Sequence, residues 1–103
     1  MELIETSLFT KQVEASLSDE EYRALQLHLV LHPDVGDVIP GSGGLRKMRW
    51  RLQGRGKRGG ARVIYYWKNS AGQIFLLFLY PKNERSSLSP AELRTLRKLV
   101  TDD

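Results

Sequence analysis

The period of the apolar pattern changes near Asp37, and no other feature of these 103 residues restricts the possible folds as much. Upstream, apolar residues recur at the spacing of one helix face. Downstream they fall in short alternating or continuous runs between glycine-rich breaks, the mark of strands. Residues 1–5 suit a short opening strand, after which Thr6 or Ser7 can cap a helix carrying Leu8, Phe9, Val13 and Leu17. Ser18 with Glu21 three positions on is a capping box, and it opens the clearest helix in the chain. Tyr22, Leu25 and Leu29 form its stripe, Leu27, Val30 and Leu31 widen it, and Pro33 stops it after His32. Strands are expected over residues 37–39, 45–52, 62–68 and 74–80, with Gly72 supplying a positive-φ turn between the last two. Ser89, Pro90 and Glu92 then restart a helix with Leu93, Leu96, Leu99 and Val100 on its apolar side. The order predicts one α+β domain over residues 1–103, an N-terminal helical hairpin on a small, mainly antiparallel twisted sheet closed by a C-terminal helix.

With no cysteine there is no disulfide framework, no cysteine zinc site and no thiol nucleophile, which fits a reducing cytoplasm. Glu2 and Glu5 stand where a secretory signal would carry basic and then apolar residues, so none is expected. The longest apolar run, residues 74–80, is too short for a bilayer helix.

Charge narrows the function. The net value is only +4, but between Val38 and Asn83 there are ten cations and no acid, so this stretch is +10 and its flanks together are −6. A surface kept basic for solubility would mix signs, whereas segregation on this scale builds a field that attracts polyanions such as RNA.

Alternation along the strand at 45–52 puts Met48, Trp50 and Leu52 on one face and Lys47, Arg49 and Arg51 on the other. The second set is a row of cations about 6–7 Å apart, which can follow the phosphates of a single strand. On the next strand Arg62 shares a face with Ile64, Tyr66 and Lys68, and its guanidinium can grip a phosphate with two parallel hydrogen bonds. Tyr65, Tyr66 and Trp67 are expected chiefly to pack. The segment 54–59 matches G-x-G-x-x-G, but a strand follows in place of a helix and no acid lies downstream, so a dinucleotide site is rejected. Arg55, Lys57 and Arg58 instead make this loop a cationic arm, and Lys82, Asn83 and Arg85 extend the basic region where the last strand meets a loop. His28 and His32 share a helix face, yet no third ligand joins them, so no metal is expected.

Four ordered blocks, LHPDVGDVI at 31–39, GGLRKMR at 43–49, GKRGGARVIYY at 56–66 and YPKNE at 80–84, resemble the RelE/ParE superfamily of bacterial type II toxins, specifically the HigB-type branch. The resemblance implies a RelE-like, microbial-RNase-type fold. It implies a toxin that enters the ribosomal A site and cuts mRNA through 2′-hydroxyl attack, inhibiting translation without metal or cofactor. Its partner would be a helix-turn-helix antitoxin of the HigA type. By resemblance, Lys47 and Arg49 take the family's basic strand positions, Arg62 its phosphate-gripping arginine and Lys82 the cation near the leaving group. Arg46, Arg51, Arg55, Lys57, Arg58, Asn83 and Arg85 would bind RNA around them. Crowded cations suit this chemistry, since a lysine hemmed in by arginines yields its proton more readily. Many relatives carry an arginine where Asn83 stands and a tyrosine near Ser89; Tyr80, or Tyr66 if it faces the groove, is the candidate for the missing aromatic. Two other readings keep the charge: a gyrase-directed toxin of the ParE type, and a non-catalytic RNA-binding module.

Overall fold

The change of period near Asp37 is the point at which helices give way to sheet in the computed structural model, which describes residues 1–52 and 60–100. Strand β1 (Glu2–Glu5) leads into helices α1 (Ser7–Ser16) and α2 (Asp19–Leu31). Strands β2 (Asp37–Val38), β3 (Arg46–Trp50), β4 (Ala61–Lys68) and β5 (Gln73–Pro81) follow, and helix α3 (Pro90–Arg97) closes the chain. Both capping boxes form: the Ser18 and Ser89 hydroxyls accept from the Glu21 and Glu92 amides, and each glutamate returns the bond to its serine amide. Thr6 is the cap of α1. Gly72, at φ +63°, ends the short 3-10 turn Asn69–Ala71 between β4 and β5.

The five strands lie in the order β1-β5-β4-β3-β2, antiparallel except for the parallel β1–β5 edge. β1 pairs only as far as Leu76 of β5, and side chains of the α1 segment serve the next β5 groups. The Thr6 hydroxyl donates to the Leu77 carbonyl at 3.0 Å, and the Gln12 amide oxygen accepts from the Leu79 amide at 2.8 Å. Beyond β1 the open edge of β5 is thereby satisfied without another strand.

The sheet has a core on each face. Phe9, Val13, Leu25 and Leu29 of the helical hairpin meet Met48, Val63, Tyr65, Ile74, Leu76 and Leu79, while Leu93, Leu96 and Val100 cover Leu45, Ile64, Phe75, Leu77 and Tyr80. β5 serves both by alternation, and its register against β4 slips between Ile64 and Tyr65: Tyr65 opposes Leu76 and Ile64 opposes Phe78, leaving Leu77 as an extra residue. This bulge inverts the alternation, so that Leu76 and Leu79 face the hairpin while Tyr80 faces α3.

Two expectations are corrected. Leu27 and Leu31 do not widen the buried stripe of α2; they are exposed, because at 100° per residue they project away from the Leu25–Leu29 line. Leu99 is exposed as well. The chain leaves α3 through tighter bonds from Leu99 to Leu96 and from Val100 to Arg97, which turn Val100 inward in its place.

Candidate nucleic-acid interface

Strand pairing assembles the cations on the α3 face of the sheet. Arg49 on β3 stands opposite Arg62 on β4, and Arg62 stands opposite Tyr80 on β5, so these three share one face. Lys47 and Arg51 alternate with Arg49, and Lys82 alternates with Tyr80, adding their side chains to that face. The Lys82 amide donates to the Gly60 carbonyl at 3.0 Å, which ties the end of β5 to the start of β4. A two-lobed groove results, with Arg49, Arg62 and Lys82 common to both lobes. One lobe, of about 660 Å³, adds Lys47, Ser86 and the β2 segment; the other, of about 550 Å³, adds Arg51, Trp50 and Gly60.

Burial differs along the groove. Arg49, Arg51 and Lys82 are exposed, but Arg62 is only 7 % exposed and donates to the Ala61 carbonyl at 3.2 Å. A guanidinium held in that position is stiff, and its field is less screened than that of a surface arginine. Tyr80 beside it is buried, which raises the pKa of its hydroxyl, while the charges of Arg62 and Arg85 pull it the other way.

The remaining expected residues fall elsewhere. Arg46, expected to bind RNA, does not line the groove, because it alternates out of phase with Lys47 and Arg49. It donates to the Gly36 and Asp34 carbonyls at 2.7 and 3.2 Å, and its guanidinium stacks 5.8 Å from the Trp67 ring centre. Arg85 is bound to Glu92 by two bonds of 2.6 and 3.0 Å and lies over the Tyr80 ring. It fastens the segment after β5 to the first turn of α3 and does not point into the groove. Glu92 answers Arg85 and the Ser89 amide at once, and these bonds lower its pKa to about 2. Asn83 is exposed in the turn after Lys82, outside the groove lining. Arg55, Lys57 and Arg58 lie outside the described residues.

Neither candidate for the missing aromatic offers an open ring. Tyr80 is 3 % exposed and donates to the Ser86 carbonyl at 3.3 Å, and Tyr66 carries the Arg97 guanidinium 4.6 Å from its ring centre. His28 and His32 lie with ring centres 5.2 Å apart and tilted by 51°, with Trp50 5.6 Å from His28, and no group of three metal-binding side chains exists among the described residues.

Sequence reasoning missed Asp37 as a site residue. It sits opposite Lys47 in the β2–β3 pairing and lines the larger lobe. The signal was its place as the last acid before the acid-free stretch. It also missed the Tyr65 hydroxyl, which accepts from the Gly36 amide and donates to the Pro33 carbonyl, both at 2.8 Å. Gly36 is required at this contact, since a Cβ there would lie 2.9 Å from the Tyr65 ring.

Among the described residues no helix is long and apolar enough to cross a membrane. The family model described as the RelE toxin of the RelE/RelB toxin–antitoxin system matches residues 37–102, the stretch that holds β2 through α3 and every groove cation named above. The match implies a cognate antitoxin as partner and, on a sheet of this order with its closing helix, shows that the chain belongs to the RelE toxin family.

Proposed function

We propose that this toxin is a ribosome-dependent endoribonuclease of the HigB-type branch, one cytoplasmic domain that cuts mRNA in the ribosomal A site without a metal ion. The observation that carries the reading is the convergence of Lys47 and Arg49 of β3, Arg62 of β4 and Lys82 just past β5 on one groove. Transfer of the phosphoryl group to the neighbouring ribose forms an O2′–P bond and breaks the P–O5′ bond. The 2′-hydroxyl must lose a proton, the phosphorane must be neutralised and the leaving oxygen must gain a proton. In this reading Lys47 and Arg49 orient the attacking hydroxyl and Lys47 takes its proton, buried Arg62 holds the phosphorane and exposed Lys82 gives a proton to the leaving oxygen. Arg51 continues the cationic track along the strand.

The test is primer extension on messages translated with purified protein. Wild type cuts within the reading frame, and Lys47→Ala, Arg49→Ala and Arg62→Ala each lose about 10²–10³-fold in rate, the cost of removing one preorganised donor. A non-catalytic RNA binder would show only graded loss of affinity. Growth arrest with intact messages and poisoned gyrase would replace this reading with the ParE-type one. A helix-turn-helix protein of the HigA type that co-purifies with the chain and restores translation would establish the antitoxin.

A further inference from the structure

Phosphate contacts alone read no sequence, and in the proposed reaction the cations of the groove are engaged with the scissile phosphate and the oxygens around it. The β2 side of the larger lobe is of another kind. Val35, Ile39 and Pro40 give it an apolar wall, and Asp37 is the one acid among the described residues lining that lobe. A carboxylate in a groove for a polyanion repels every phosphate that approaches it, so its useful partner is a hydrogen-bond donor. RNA carries such donors on its base edges and hydroxyls. The apolar wall beside it suits a base face, and Val35 is 41 % exposed, a valine no core accounts for.

The segment is also held in place. The Tyr65 hydroxyl bridges Pro33 and Gly36, and the Arg46 guanidinium grips the Asp34 and Gly36 carbonyls, fixing the backbone on the N-terminal side of Asp37. On the other side the pairing with Lys47 sets the two Cβ atoms about 5 Å apart, so the carboxylate stands at the head of the cation row. Meanwhile Tyr80 is buried and Tyr66 carries the Arg97 guanidinium over its ring.

We propose that the β2 edge of the groove is a nucleobase pocket, in which Val35, Ile39 and Pro40 take the face of a base and Asp37 reads its edge, accepting bases that present amino donors and rejecting uracil. The proposal rests on the endonuclease reading. Guanine offers two adjacent N–H donors to the two carboxylate oxygens, and adenine and cytosine each offer an amino group. Uracil offers a single N–H between two carbonyl oxygens that the carboxylate repels.

The experiment compares messages that differ by one base at each A-site position in turn, cut by wild type, Asp37→Asn, Asp37→Ser and Lys47→Ala, with thermal melting of each variant as the control for folding. At one position wild type should cut uracil-bearing messages about tenfold or more slowly in kcat/KM than the others. Asp37→Asn, whose amide both donates and accepts, and Asp37→Ser should narrow that difference to about threefold while still cutting the other messages. Lys47→Ala should slow all messages alike. Wild-type cutting with no base preference, or a preference that survives both Asp37 variants, overturns the pocket and leaves the nuclease reading intact. Equal loss on every message in folded Asp37 variants overturns it too, assigning Asp37 to the chemistry. Growth arrest by a wild-type protein that cuts no message overturns the nuclease reading itself, and the pocket with it.

Discussion

Tyr65 shows how little of a site the apolar pattern reveals. Its place on the core face follows from strand alternation, but the two bonds of its hydroxyl join it to a loop about thirty positions away, and nothing local in the sequence marks that pairing. Tyr65→Phe keeps the ring and strands the buried Gly36 amide, so unfolding free energy should fall by about 1–3 kcal/mol, measured by urea denaturation. Arg46 and Lys47 make the same point. They are adjacent cations of one charge run, yet strand geometry sends one to a loop carbonyl and the other to the groove. Composition counts them together; the pleat separates them.

At the level of elements, both capping boxes were legible because serine and glutamate three apart satisfy each other locally. The bond from Arg85 to Glu92 was not, since it depends on how the segment after β5 folds back. Its pH dependence follows from sign. Glu92 titrates lower in the folded chain, near 2 instead of its ordinary 4.5, so the stabilisation is complete above the unfolded value and disappears as pH falls towards 2. Melting temperature of the wild type should therefore drop between about pH 4.5 and 2 by more than that of Glu92→Gln. The Leu77 bulge was equally hidden. Regular alternation would carry Tyr80 and Lys82 to the face of Ile74 and Leu76, where the hairpin packs. Deleting Leu77 removes only the extra residue and leaves Tyr80 and Lys82 on the α3 face, so cleavage should persist while stability falls by the loss of one buried leucine, read by primer extension beside urea denaturation.

For the whole molecule, the order of elements and the acid-free stretch were readable from the chain, and the groove they form was not, because strand order is a long-range property. If the groove follows RNA, the logarithm of the affinity for a short single strand should fall linearly with the logarithm of salt concentration. Arg49→Ala should flatten that slope by about 0.7, one phosphate contact for a single strand, in a filter-binding titration. The sheet also divides the charge. α1 and α2, where Glu14, Asp19, Glu20 and Glu21 outnumber Lys11 and Arg23, lie on one face, and the cation groove lies on the other, the face that α3 covers. Such a molecule has an electrical front and back. Near a polyanion it feels a torque before it makes contact, so that approaches with the helical hairpin leading are slowed and turned, and most encounters begin with the groove already forward.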